Sequence, residues 1–286
     1  MDGGNAEAPR LDALLPPEMA RRAEEIGVKK VSMDALGQFA LAVLAGAFIA
    51  IGGVFATTAL AGAGAAPWGA VGVLAGVAFS LGLILVIVGG AELFTGNTLI
   101  VMAWASGRVK TRALLRSWAI VFAGNFLGAA ATAAMVCLGG TQRFEGGAFG
   151  ITALAIAHAK LELGFGQAVA LGVLCNALVC LAVWLSYSAR TTADRILAIV
   201  PPVSAFVAAG FEHSIANMYF VPLGLFIAVL DPGFVTAHDA GPHAQLLSWS
   251  AFLLRNLLPV TIGNVIGGTL LVGGVYWFVY LRPRCE

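Results

Sequence analysis

The sequence predicts an all-α integral membrane protein: six transmembrane helices in an inverted repeat of three plus three, with the second and fifth helices broken. Three observations carry that expectation. Of 286 residues, 59% are apolar and only 11% charged, with a mean hydropathy of +0.91, about half the charge of an ordinary soluble domain. Apolar runs of about 18 or more residues recur, which is the length of a bilayer-crossing helix and not the alternating pattern of a barrel strand. One pattern, G-x-E-x4-N, occurs at residues 90–97 and again at residues 210–217, 120 positions later.

The elements follow in order. Residues 1 to about 15 read as disordered. Pro16, Pro17 and Glu18 then suit the first turn of a short surface helix running to about Lys30. This gives an N-terminal tail over 1–33, a transmembrane domain over 34–282 with repeats at about 34–140 and 166–282, and a short tail over 283–286. No basic stretch followed by an apolar core opens the chain, so no cleavable signal is expected. Apolar segments lie at about 36–60, 68–105, 114–138, 168–185, 196–230 and 253–281. The second would make a helix of roughly 57 Å against a hydrocarbon core of about 30 Å, so something interrupts it. The G-x-E-x4-N motif supplies the interruption there and in the equally overlong fifth segment. With one crossing per segment, only Arg143, Lys160 and Arg255 of the 16 Lys and Arg fall outside, leaving thirteen inside. A re-entrant path would split them nine to seven. Six crossings with both termini in the cytoplasm satisfy the positive-inside bias, and three crossings per half invert one half relative to the other. Residues 139–166 read as an outside loop.

A second internal match, G-N-x-x-G, places Gly124, Asn125 and Gly128 in the third segment against Gly263, Asn264 and Gly267 in the sixth. Non-helical backbone within a bilayer is tolerated only where protein buries it or a wet cavity meets it, so two interruptions predict a pore between the halves. Helix N-termini at the interruptions favour an anion there. Glu92 and Glu212 invite a proton-relay reading, but a carboxylate accepting from exposed loop N–H groups, with Asn97 and Asn217 alongside, explains them as structural. His213 differs, because its counterpart is Leu93 and loop geometry does not require an imidazole. It is the candidate anion donor. Thr95 offers a hydroxyl to the same cavity or to its own helix. Lys160 reads either as a vestibule charge or as a snorkelling lysine. Asn176 needs a partner, and Phe79, Leu83 and Phe206 read as dry constrictions or as packing. His158, His238 and His243 lack ligand spacing, the four cysteines read as packing residues, and no nucleophile has a paired base. No metal, cofactor, enzyme activity or nucleic-acid surface is therefore expected, and the partners are the lipid bilayer and a small solute.

At these residues the chain resembles the formate/nitrite transporter family. Residues 79–85 (F-S-L-G-L-I-L), 176–188 (N-A-L-V-C-L-A-V-W-L-S-Y-S), 210–218 (G-F-E-H-S-I-A-N-M) and 259–268 (P-V-T-I-G-N-V-I-G-G) carry the likeness. The resemblance implies an aquaporin-like protomer, a homopentamer and the inner (cytoplasmic) membrane. It implies His213 as the central pore histidine, Thr95 as a mobile-loop threonine, Lys160 as the vestibule lysine, and Asn176 and Asn264 as polar pore contacts. Phe79, Leu83, Leu93, Val179 and Phe206 match apolar constrictions. The expected function is passage of formate, protonated through His213 to cross Leu83 and Phe206 as the neutral acid. Nitrite or hydrosulfide through the same pore, or an aquaporin-like channel for neutral solutes, are the alternatives. Channel and proton symport are not separated by the sequence.

Overall fold

A computed structural model describes residues 13–283, and every regular element among them is helical. The expected disorder over residues 1–12, and Cys285 with the last of the C-terminal tail, lie outside the described residues. Helix α1 (Pro16–Ser32) starts with two prolines in its first turn and with the Glu18 carboxylate accepting from the Leu15 N–H, and its last turn carries Lys29 and Lys30. Asp34 caps α2 (Ala35–Leu60) by accepting from the Gly37 N–H. Helix α3 (Trp68–Gly89) stops at Gly90, whose φ of +77° belongs to the left-handed region that side chains avoid. After residues 90–93, α4 (Phe94–Ala105) is short and irregular, α-helical to Asn97, 3-10 over Thr98–Ile100, then α-helical again.

Next come α5 (Thr111–Leu138), α6 (Ala148–Glu162), α7 (Phe165–Ser188) and α8 (Thr192–Ala208), the last started by a Thr191–Asp194 capping box. Helix α8 gives way at residues 209–213, where Gly210 has φ +70°, and α9 (Ser214–Leu230) follows. Two short helices, α10 (Pro232–Ala237) and α11 (Gly241–Ala244), lead to α12 (Trp249–Tyr280), which includes π-helical stretches. Among the described residues α2, α3, α5, α7 and α12 are long and apolar enough to cross a membrane, and α4 and α9 are shorter apolar helices. The chain is thus an all-helical, multi-pass membrane protein.

Helix α2 packs between α3 and α5, α7 packs between α8 and α12, and the two trios meet along α3 and α8. The G-N-x-x-G glycines make the close approaches. A Cβ on Gly128 would collide with the Val43 carbonyl of α2, and one on Gly267 with the Val173 carbonyl of α7. The loop expected over residues 139–166 instead contains α6. Its buried Phe149, Ala153, Leu154, Ala157 and Leu161 recur at helical spacing, but 15 residues are too few to register as a crossing.

Candidate functional site

Each interruption leaves backbone N–H groups without helical partners, and each is closed by the same set of bonds. In the first, the Glu92 N–H donates to the Leu41 carbonyl, and the Phe94 N–H donates to Asn125 Oδ1 at 2.9 Å. The Asn125 amide then donates to the Ala42 and Glu92 carbonyls. In the second, the Glu212 N–H donates to Leu171, the Ser214 N–H to Asn264 Oδ1 at 2.9 Å, and the Asn264 amide to Gly172 and Glu212. Both asparagines are fully buried, and their hydrogen-bonding capacity is satisfied by backbone. Asn264, expected as a pore contact, therefore clamps the loop as Asn125 does.

The sequence suggested that the two glutamates accept from loop N–H groups; their partners are instead side chains. Glu92 accepts from Lys30 Nζ at 2.8 Å and from the Asn97 amide at 2.7 Å, and Lys30 also donates to Asn97 Oδ1. Glu212 accepts from Lys160 Nζ at 2.8 Å and from the Asn217 amide at 2.6 Å, with Asn256 adding a longer bond at 3.2 Å. A carboxylate only 5% exposed must be paired, and each lysine supplies that charge. Lys160 is thus neither a free vestibule cation nor a snorkelling one. It also lies 5.5 Å above the Phe220 ring. Sequence reasoning missed Lys30 altogether, although two matched buried glutamates call for two matched cations.

His213 is the N-cap of α9. Its Nδ1 accepts from the Ala216 N–H at 3.0 Å, so the proton of the neutral ring sits on Nε2. Nε2 faces Thr95 Oγ1 at 2.9 Å. The sequence reading has the solute protonated through His213; any such step that places a proton on Nδ1 would break the cap. Two cavities approach this pair. One, of about 340 Å³, is lined by Lys29, Lys30, Leu83, Glu92, Leu93 and Asn97 among others. The other, of about 230 Å³, is lined by Phe79, Lys160, Phe206, Glu212, His213 and Phe220 among others. The Phe206 ring stacks on the His213 imidazole at 5.9 Å and meets Phe79 edge-on at 5.8 Å. Thr95, Asn176 and Val179 are buried and line neither cavity. The Asn176 amide donates to the carbonyls of Asn264 and Thr95 and to Thr98 Oγ1.

His158 and His243 lie with ring centres 5.7 Å apart, and no metal-ligand cluster is present among the described residues. Cys137, Cys175 and Cys180 are buried and free. In the segment after α9, hydrogen bonds from Gln142 and Arg143 hold the Asp231 carboxyl below its ordinary pKa.

Apolar helices, two cavities and a buried donor pair between them describe a membrane transport protein. The chain belongs to the formate/nitrite transporter family, whose model matches residues 17–278. It is 47% identical over 275 residues to the formate channel FocA of Escherichia coli strain K12, covering 96% of each chain. With FocA of Haemophilus influenzae it shares 38% identity, covering 91% of this chain and 93% of that one. A solved structure described as a pentameric formate channel with formate bound superposes with a TM-score of 0.82 at 42% identity, covering 87% of this chain and 98% of the other. Family and relatives are transporters and channels, not enzymes.

Proposed function

We propose that the chain forms a pore for small monovalent anions of weak acids, formate foremost, between two halves inserted in opposite senses in the inner membrane. In this reading α2, α3 with α4, and α5 make three crossings, and α7, α8 with α9, and α12 make three more. The second and fifth crossings are broken, and the protomer is aquaporin-like. The second half begins with α6, which carries Lys160 as α1 carries Lys30. Both termini and the 340 Å³ cavity face the cytoplasm by the distribution of Lys and Arg. The similarity to a channel described as pentameric supports a homopentamer.

The observation that carries the reading is the buried pair of His213 Nε2 and Thr95 Oγ1 at 2.9 Å. Neither group has an equivalent in the other half, where Leu93 and Ile215 stand at the matching positions. With Nδ1 committed to the Ala216 N–H, the ring offers one Nε2–H donor. An arriving anion takes that donor in place of Thr95 Oγ1, and the freed hydroxyl gives a second bond. A bare anion crossing Leu83, Phe79 and Phe206 would face a desolvation cost of several kcal/mol. The acid avoids most of it. In this reading the proton comes with the solute from water in the cavity, and His213 remains neutral, which keeps its Nδ1 cap on α9 intact. Low external pH then favours uptake of the acid, and neutral pH favours efflux.

His213→Asn tests this directly, since asparagine preserves an N-cap but removes the imidazole donor. In proteoliposomes formate flux should fall by about ten-fold or more, one lost charge-assisted hydrogen bond being worth about 1.5–3 kcal/mol, while its dependence on external pH, set by the solute's own protonation, should persist. Unaltered flux would end the proposal. Competition among formate, nitrite, acetate and hydrosulfide at several external pH values ranks the solutes. Osmotic swelling with no anion-dependent proton movement would favour a neutral-solute channel instead.

A further inference from the structure

Thr95 contributes more than a hydroxyl. Its backbone carbonyl is the meeting point of a buried polar cluster that lines neither cavity. Thr98 Oγ1 donates to that carbonyl at 2.7 Å, Asn176 Nδ2 approaches it at 3.3 Å and Cys180 Sγ at 3.5 Å. The cluster is also tied together internally, with Thr98 Oγ1 3.2 Å from both Cys180 Sγ and Asn176 Nδ2. Thr98, Asn176 and Cys180 are all 0% exposed. Gly268 of α12 closes the cluster: a Cβ there would collide with Thr98 Oγ1 and stand 2.5 Å from Asn176 Nδ2 and 2.9 Å from Cys180 Sγ.

The other half has no such cluster. Matching Glu92 with Glu212, Leu41 with Leu171 and Asn125 with Asn264 by their shared bonds fixes the register between halves. In that register Thr98, Asn176, Cys180 and Gly268 fall opposite Met218, Gly46, Ala50 and Ala129, none of which has a polar side chain. Helix α9 runs unbroken from Ser214 to Leu230, whereas α4 turns 3-10 at Thr98. The short bond from Thr98 to a carbonyl three residues back suits that tighter turn.

We infer that Thr98 is a positioning residue for transport, with Cys180 and Asn176 as its supports. Through the Thr95 carbonyl they set the rotation of α4 that presents the Thr95 hydroxyl to His213 Nε2. This inference rests on the reading of Thr95 and His213 as the solute contacts. A misplacement of about 1 Å in a contacting group costs as much as 100-fold in rate, so the cluster acts without touching the solute.

The test is a double-mutant cycle in proteoliposomes, with oligomer elution and thermal unfolding as controls for assembly. Thr98→Val keeps the side-chain shape and removes the donor. It should lower maximal formate flux about five- to ten-fold with less than a two-fold change in the half-saturating concentration, and Thr98→Ser should restore flux to within two-fold. In a Thr95→Val background the same change should add nothing further. Should the valine variant fail to assemble, Cys180→Ala carries the test, with an expected loss of about two-fold that also vanishes in that background. Wild-type flux in Thr98→Val alongside impaired flux in Thr95→Val overturns the positioning role alone. Losses that multiply independently of Thr95 also overturn it. Wild-type flux in Thr95→Val removes the pore reading and this inference together.

Discussion

The two interruptions of the helices are held open by the same bonds and differ in what they present. Each has a buried glutamate paired with a lysine and an asparagine, a left-handed glycine before it, and a distant asparagine clamping the backbone after it. The histidine and threonine that face each other across the halves, and the polar cluster behind the threonine, occur once. Whatever geometry alone requires is present twice. The unrepeated residues are the place to look for recognition of a solute, and the repeated ones for the shape of the passage.

The largest effect should come from removing the clamps. Asn125→Leu and Asn264→Leu each leave a buried backbone N–H and two carbonyls without their side-chain partner, at about 1–3 kcal/mol apiece. A loss of about 3 kcal/mol or more, seen as failure to purify as an intact oligomer or as a fall of many degrees in Tm, is expected for both. The equivalence of the halves predicts similar losses. Tolerance of one substitution but not the other would break it.

The lysines should separate the halves. Removing one partner of a buried ion pair costs about 3–5 kcal/mol, with the lower end apt here because the lysine side chains are 23% and 15% exposed. Lys30→Met leaves Glu92 with one amide donor and strips Asn97 Oδ1 of its partner. Lys160→Met leaves Glu212 with two amide donors, and Asn217 Oδ1 has no partner even before the change. Thermal unfolding in detergent should therefore place Lys30→Met below Lys160→Met by about 1 kcal/mol, the net worth of one hydrogen bond. The reverse order would show that Asn256 does not support Glu212.

Much of this comparison is legible in the sequence, and the rest is hidden for identifiable reasons. Gly90 and Gly210 mark the interruptions because a φ near +70° admits few other residues. Lys30 escapes notice because it lies 62 residues from its glutamate while Lys160 lies 52 from its own, so no fixed spacing joins the two pairs. The role of Asn264 is hidden because a polar residue in an apolar helix serves equally to meet a solute or to tie backbone, and only the three bonds it makes decide. His213 was singled out by its asymmetry. That it also caps α9 could not be read, since Ser, Thr, Asp and Asn are the usual caps.

The smallest difference concerns charge at the two mouths. Lys29 and Lys30 both line the 340 Å³ cavity with Glu92, but only Lys30 is paired, and the Lys29 ammonium has no ion pair or hydrogen bond among the described residues. The other cavity holds Lys160 and Glu212, which neutralise each other. The first mouth therefore carries one uncompensated positive charge and the second none, and a cleft of low dielectric focuses that field on approaching anions. Lys29→Gln should raise the half-saturating formate concentration from the proposed cytoplasmic side about two-fold at low salt and leave entry from the opposite side alone. At about 0.5 M salt, where the screening length is a few ångströms, the difference should disappear. An equal effect from both sides would mean that Lys29 acts through the fold, and the charge asymmetry of the mouths would then have no part in transport.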